Sequence, residues 1–395
     1  MQIGYGMDEN VLYLEDGKLY RHIPIYPYEE RWYKTLEFMQ SEIFTELQRL
    51  RYMPTHTFIN STATHHIYEV EQCWPIIRCD VHSMRSLPDC PIDEILAEQV
   101  LSTLKLSCKI NQMLIESNNN MRLVELHPWN FTLQRGQPIL LDVGSFDHIN
   151  GPAVVRDCIQ QTAKSFQFNK LLNDPDCIFM PTSLSDWVKL SEIITTIAVQ
   201  HEHSAWQDYT HAEQSEEITH ISQLIQKIQP STMLDIGGGD GLFSSIVAPN
   251  AHIVCIDNCR PALSSGYYSN FKSTDFACVN VCTPYKHTVS DIELTASWVQ
   301  RYRCDTLFAS SIVHHLLQTM SLESIAILFD DLARRYMLIE FIAHTDPYVT
   351  WYGPETNFER MKAALPNWKV IHEVSNYEIE PNRKHRIWYL LERQK

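Results

Sequence analysis

The sequence predicts an α/β protein: a mostly parallel, seven-stranded sheet in the second half of the chain, preceded by an α+β domain. Three observations predict it. From Thr232 onward, short apolar runs at 232–236, 252–256, 275–279, 304–309, 336–342, 368–374 and 385–392 alternate with segments of helical period, as strands do when helices cover both faces of a sheet. The first of these runs ends in a glycine cluster, Gly237-Gly238-Gly239-Asp240-Gly241, that opens a helical segment. The first half instead shows hairpin patterns and long amphipathic stretches without that alternation. A chain of 395 residues has room for about two or three domains. We divide it into an accessory domain (1–150), a helical bridging or lid segment (151–212) and the sheet domain (213–395).

Residues 11–28 alternate apolar and polar positions around Glu15-Asp16-Gly17-Lys18, which predicts a β-hairpin. Apolar positions at helical spacing follow in 30–50 (Trp32, Leu36, Met39, Ile43, Leu47, Leu50) and again in 92–116 (Ile95, Val100, Leu104, Ile110, Leu114), with strands expected at Thr57–Val70 and Trp74–Val81. After Glu125-Leu126-His127-Pro128-Trp129-Asn130 comes a strand, a turn at Gln134-Arg135-Gly136-Gln137, and an apolar strand Pro138–Val143. In 150–205 only 184–199 reads as helix. At 214–229 Ile218, Ile221, Leu224, Ile225 and Ile228 share one helical face, and Pro230 ends it.

Lys and Arg total 32 against 48 Asp and Glu, a formal net charge of −16, so the summed field repels phosphate backbones and disfavours a nucleic-acid partner. No stretch approaches the roughly 20 apolar residues of a membrane span. The eleven cysteines are an odd, dispersed set without a C-x-x-C pair; reduced thiols in a cytoplasmic setting are expected. Cys255/Cys259 and Cys278/Cys282 share a three-residue gap, but each pair sits at the end of an apolar run that reads as a buried strand, and His201-Glu202-His203 lacks the spacing of H-E-x-x-H; no metal site is expected.

The strand–glycine turn–helix unit is nucleotide-site geometry, in which glycines let a ligand lie against bare backbone. The next strand ends in Asp257, a carboxylate placed to accept hydrogen bonds from ribose hydroxyls. A dinucleotide fingerprint would require a glycine at Leu242. Asp235 and Asp240 also bracket the turn, and acidic groups repel a pyrophosphate. They suit a ligand carrying an ammonium and a sulfonium, the groups that S-adenosyl-L-methionine presents.

On Leu234–Gly241, Asp257 and the segment Asp305–Leu316, residues 215 to 395 resemble the class I S-adenosylmethionine-dependent methyltransferases, with a Rossmann-like fold. The resemblance implies that Asp235, Gly237, Gly238, Gly239, Asp257, Asn258, Asn280, Val281 and Ser310 bind the cofactor. Asn280 stands where the family often has an acidic residue. It implies methyl transfer to a small-molecule or amino-acid-like acceptor, or a variant reaction in which the aminocarboxypropyl group is transferred or cyclised.

Methyl transfer is an in-line displacement accelerated chiefly by alignment, with a base needed only for a protonated nucleophile. His314 and His315, after the fourth strand, are candidates for that base, and Glu340, ending the fifth strand, for a group that binds an amine or polar substrate group. Tyr348, Trp351, Tyr352 and Asn357 are candidates for the acceptor-pocket wall. In the first half, Glu125–Asn130 and Leu141-Asp142-Val143-Gly144 resemble the catalytic and metal-binding loops of aminoglycoside-phosphotransferase-type kinases, with Glu125 in place of the catalytic aspartate and Asn130 and Asp142 at the metal-ligand positions. A glycine-rich phosphate loop and a strand lysine are missing from 1–90, so a degenerate domain is expected, either shaping the acceptor site or acting as a pseudokinase-type binding module. Oligomeric state is left open by the sequence.

Overall fold

A computed structural model describes the chain apart from residues 1–10, 16–17, 26–29, 72–94, 149–151, 174–179, 200–215, 270, 272, 283–286, 290–291, 296–297, 348, 350, 376–384 and 395. It divides into two compact units, Met1–Gln200 with Lys286–Ala296, and His201–Tyr285 with Ser297–Lys395.

The first unit opens with the expected hairpin, β1 (Val11–Glu15) and β2 (Lys18–Pro24). Where the sequence reads one helical stretch over 30–50, the structure has two helices, α1 (Glu30–Met39) and α2 (Glu42–Arg49). The break is Ser41, an N-cap whose hydroxyl accepts a hydrogen bond from Phe44 N–H at 3.3 Å, so the backbone leaves helical geometry there. The single strand expected over 57–70 is likewise two, β3 (His56–Ser61) and β4 (His65–Val70). Between them Thr62 Oγ1 accepts from His65 N–H at 2.9 Å, the side-chain turn that a run of Ser and Thr supplies. These strands form an antiparallel sheet in the order β1-β2-β4-β3. The strand expected at Trp74–Val81 lies outside the described residues.

Helix α3 (Ala97–Glu116) is tied to β5 (Met121–Leu123) by Asn111, whose side-chain amide both donates to Leu123 O (3.0 Å) and accepts from Leu123 N–H (2.9 Å). The predicted turn at 134–137 joins β6 (Phe131–Gln134) to β7 (Gln137–Leu140); Arg135 and Gly136 both have positive φ, 53° and 74°, as a two-residue hairpin loop requires. Strand β8 (Phe146–His148) pairs with β5. Three helices, α4 (Pro152–Ser165), α5 (Asn169–Asn173) and α6 (Leu184–Thr195), complete the part of this unit before residue 200.

In the second unit α7 (Glu216–Ile228) buries the predicted face, Ile218, Ile221, Leu224, Ile225 and Ile228. The sheet strands are β9 (Thr232–Ile236), β10 (His252–Asp257) and β11 (Thr274–Cys278), separated by α8 (Leu242–Val247) and α9 (Arg260–Tyr268). A short hairpin, β12 (His287–Val289) and β13 (Ile292–Thr295), groups with the first unit. Then come α10 (Trp298–Arg301), β14 (Cys304–Ala309), α11 (Val313–Leu316), α12 (Leu322–Leu332), β15 (Ala333–Ile342), α13 (Phe358–Ala363), β16 (Trp368–Ser375) and β17 (Arg386–Arg393). The strands lie in the order β11-β10-β9-β14-β15-β17-β16. The first five are parallel and β17 runs antiparallel to both neighbours. The mostly parallel seven-stranded sheet expected from the sequence is therefore observed, and the order reverses between β9 and β14, a switch point at the carboxyl edge where open α/β sheets bind ligands.

β14 is buried at every residue because helices cover both faces, which is why its sequence is a continuous apolar run rather than an alternation. On one face α7 and α8 pack over Met233, Phe308, Leu338 and Trp388. Trp388 stacks on Phe308 with ring centroids 5.6 Å apart, and its indole N–H donates to the buried Glu217 of α7 at 3.0 Å, so β17 is locked to the helix layer. No helix among the described residues is long and apolar enough to cross a membrane.

Trp388→Ala removes both the stack and the donor, and is expected to destabilise the protein by about 3–5 kcal/mol, measured by urea unfolding followed by circular dichroism. A loss under about 1 kcal/mol would show that Trp388 is not central to this packing.

Candidate functional site

The turn after β9 is held by two backbone hydrogen bonds and by close packing at two of its glycines. Gly237 N–H donates to Ile256 O at 2.8 Å, and Gly241 N–H to Gly238 O at 2.9 Å, so the loop is folded onto β10 by its own backbone. A Cβ at Gly238 would fall 2.3 Å from Asp235 Oδ2 and 2.7 Å from Cys255 Sγ, and one at Gly237 would meet Ile312 at 2.5 Å. These two glycines are required by protein neighbours. Gly239 is different: it has φ +59°, and no heavy atom lies within 4 Å of where its Cβ would point. This is the turn's open position, where a ligand can lie on bare backbone.

Asp257, the last residue of β10, accepts Gly239 N–H at Oδ2 (3.0 Å) and Cys259 N–H at Oδ1 (2.7 Å). It thereby pins the turn, and each carboxylate oxygen keeps a further lone pair for a ribose hydroxyl. Burial raises its pKa and the backbone donors oppose the rise. Asp240 accepts Leu242 N–H at 3.0 Å, at the entry to α8. Asp235 is buried beneath the turn with Oδ1 unpartnered. Burial pushes its pKa up to about 7, with the charges of Asp257 and Asp240 adding to the effect and the Ser244 hydroxyl opposing it.

The other candidate cofactor residues line the same edge. Asn258 is exposed after β10. Asn280, also exposed, turns its Oδ1 back to Cys282 N–H at 3.1 Å, and Val281 beside it is buried. Ser310, directly after β14, has its hydroxyl enclosed without a partner.

Ser311 takes a left-handed conformation, φ 50°, and turns the chain into α11. Glu340 of β15, fully buried, accepts from both Ser311 N–H (2.8 Å) and Ser311 Oγ (2.6 Å). Arg386, at the start of β17, donates to Ser311 Oγ at 3.1 Å and lies 3.6 Å from Glu340 Oε1 and 3.9 Å from Asp346 Oδ2. Glu340 thus holds the loop that carries the histidines. The rings of His314 and His315 lie 4.0 Å apart and both stack on Trp351, at 6.2 and 6.4 Å. Trp351 is fastened there by its indole N–H, which donates to His314 O at 2.7 Å. Burial, the neighbouring ring and the Arg386 charge hold the His314 pKa down to about 3; burial, with Arg386, lowers that of His315.

The remaining wall candidates have structural partners. Tyr352 donates its hydroxyl to Ile342 O, and burial, with Asp346 adding, pushes its pKa up to about 12. Asn357 caps α13, accepting Arg360 N–H at 3.0 Å. Tyr348 lies outside the described residues. Sequence reasoning missed Ser311, Asp346 and Arg386. No local pattern marks Arg386; it reaches the site because β17 pairs antiparallel with β15, which sets Arg386 opposite Ile342.

In the first unit, the groups singled out for their kinase-like spacing are joined to one another. Asn130 Nδ2 donates to Ser145 Oγ (2.8 Å) and to Glu125 O (3.1 Å), and Ser145 Oγ donates to Asp142 Oδ2 (3.0 Å). The buried Arg21 of β2 lies 3.4 Å from Asp142 Oδ1 and donates to Leu141 O. A guanidinium sits where the implied metal ligand would need a cation, and Ser145 separates Asn130 from Asp142. Among the described residues no group of three or more His, Cys, Asp or Glu is placed to hold a metal. His201, Glu202, His203 and His211 lie outside the described residues. Cys108, Cys158, Cys255, Cys282 and Cys304 are free thiols.

No protein-family model and no curated protein matches the chain. Among solved structures it is similar to the N-methyltransferase NodS from Bradyrhizobium japonicum WM9, with 12% identity over 46% of this chain and 96% of that one and a TM-score of 0.35. It is similar also to the methyltransferase domain of bacterial CtHen1-C (13% identity, 46% of this chain and 98% of that one, TM-score 0.35). A third is the magnesium protoporphyrin IX methyltransferase ChlM from Synechocystis PCC 6803 with bound SAM (10% identity, 45% and 80%, TM-score 0.33).

Asp235 sets a pH dependence whose sign follows from its raised pKa. The folded protein keeps the Asp235 proton up to about pH 7, whereas the unfolded chain releases it near the ordinary value of 3.8, so this residue's contribution falls as pH rises between those values. Asp235→Asn is therefore expected to gain stability over the parent at pH 8 relative to pH 5, read from thermal melts of the ligand-free protein. An equal difference at both pH values would show that the buried carboxyl stays ionised throughout.

Proposed function

We propose that this protein is an S-adenosylmethionine-dependent methyltransferase acting on a small-molecule or amino-acid-like acceptor. The observation that carries the reading is the turn itself: one open glycine, Gly239, set between a buried aspartate below, one of whose oxygens has no partner, and the Asp257 carboxylate beside it. Such a site fits a cationic nucleoside. An anionic diphosphate would meet an acidic turn there, and negative charges at close range repel.

In this reading Asp257 takes the ribose hydroxyls, while Asn258, Asn280 and Val281 flank the adenine. Asp235, Gly237, Gly238, Gly239 and Ser310 receive the amino-acid end. When bound, the cofactor supplies a methyl group on a positively charged sulfur, an electrophile that needs chiefly an aligned nucleophile. The chain's own part is alignment. Trp351 with the two histidines forms an aromatic cluster, and Glu340 with Arg386 fixes the loop that presents it. The net charge of −16 supports an acceptor other than nucleic acid, and the free thiols suit a reducing, cytoplasmic compartment. The same site is compatible with transfer or cyclisation of the aminocarboxypropyl group. Product analysis separates the two, since methyl transfer leaves S-adenosylhomocysteine and the other reaction leaves methylthioadenosine. A pseudokinase-type role draws no support from the Arg21-bound Asp142.

Calorimetric titration with S-adenosylmethionine, S-adenosylhomocysteine, NAD and ATP tests the assignment. The first two are expected to bind and the last two not to. Gly239→Ala places a methyl group in the open position at a strain cost of about 1–2 kcal/mol. It is expected to weaken cofactor binding by more than about tenfold while the fold persists. Asp257→Ala should lose binding as well. Preference for NAD or ATP, or unchanged affinity in both variants, would refute the proposal.

A further inference from the structure

The two ring nitrogens of His314 are in different surroundings, and the difference decides what this residue can do. Nδ1 is sealed from solvent and has no hydrogen-bond partner, although the ring belongs to a loop otherwise dense in hydrogen bonds. A buried N–H without an acceptor costs more than a buried lone pair without a donor, and orphaned N–H groups are the rarer case in folded proteins. The tautomer of a neutral imidazole follows from that asymmetry. Since Nδ1 is closed off, a molecule that reaches the ring reaches its other edge.

We infer that His314 carries its proton on Nε2 and offers that N–H to the acceptor as a hydrogen-bond donor, so that it selects a neutral or anionic acceptor bearing a carbonyl, carboxylate or ring-nitrogen lone pair. His314 is then not the base of the reaction, because the nitrogen left to take a proton is the sealed one. The guanidinium of Arg386 works in the same direction. It stands on the neighbouring strand, anchored by Glu340, Asp346 and Ser311, and its charge disfavours protonation of both histidines and the approach of a cationic acceptor. Glu340 does not offset this towards a ligand, as it is buried and both Ser311 and Arg386 are turned onto it. The aromatic cluster of Trp351 and the histidines adds a preference for a planar molecule that can stack on it. The acceptor class deepens the methyltransferase reading and rests on it, whereas the tautomer assignment stands on its own.

The experiment uses the full chain labelled with ¹⁵N-histidine. Long-range proton–nitrogen correlation spectra near neutral pH, with His314 assigned by the signals lost in His314→Gln, are expected to show Nε2 protonated and Nδ1 bare. In the presence of S-adenosylhomocysteine, benzoate and benzylamine then serve as planar probes of similar size and opposite charge. Benzoate is expected to shift the His314 Nε2 signal and benzylamine to leave it in place. The amide nitrogen of glutamine mimics Nε2 and that of asparagine mimics Nδ1, so His314→Gln should retain benzoate binding, while His314→Asn should lose about tenfold, the worth of one hydrogen bond. A proton on Nδ1, a preference for benzylamine, or equal benzoate binding by the two variants would overturn the inference. Failure of S-adenosylhomocysteine to bind would instead remove the methyltransferase reading, because the tautomer is measured without it.

Discussion

The carboxylate of Asp257 holding Gly239 N–H is the contact on which the site depends. It ties the glycine turn to the end of the neighbouring strand, and the turn in turn lies directly on Asp235 and Cys255, with no room for a side chain at Gly238. Gly237 extends the chain of contacts to Ile312, and Ile312 leads into the short helix bearing His314 and His315. The glycine turn and the histidine loop therefore share a boundary. Positions that look equivalent in a run of glycines have separate duties: two accommodate protein atoms, and one stays open.

Electrostatics around this edge run in one direction. Burial raises the pKa of Asp235 and Asp257 and lowers that of both histidines, so each group is pushed towards its neutral form. A low-dielectric edge of this kind strengthens whatever charge a ligand brings. Beneath the turn the acidic groups await a positive charge, whereas at the histidines the nearby guanidinium favours the opposite sign. On the proposed reading, the two ends of the site suit different partners, a cationic nucleoside at one and an electron-rich acceptor at the other.

The first unit applies the same chemistry to another end. Asn130 and Asp142, at the metal-ligand positions of the kinase-like resemblance, are instead joined through Ser145, and Asp142 faces Arg21. A buried guanidinium is tolerable only beside a carboxylate and a carbonyl, and Arg21 has both. The cluster ties the small sheet to the loop after β7.

Much of the second unit was legible in the sequence because buried parallel strands are continuous apolar runs, which marks the five parallel strands; the antiparallel β16 and β17 were also read as strands, and no end of the seven differs by more than three residues. The glycine turn and Asp257 were legible too, since backbone conformation and close approach demand particular residue types. In the first unit, the break at Ser41 and the turn at Thr62 went unread, as single hydroxyls that terminate elements differ little from hydroxyls that merely face water. Arg386, Ser311 and Asp346 could not be found from local pattern at all. What the sequence by itself determined is the alternation of strands and helices and the chemistry of the turn, both encoded within a few neighbouring residues. Only the tertiary structure decided which glycine is open, what Glu340 holds and which nitrogen of His314 is sealed, because each depends on side chains brought together by strand pairings tens of residues apart.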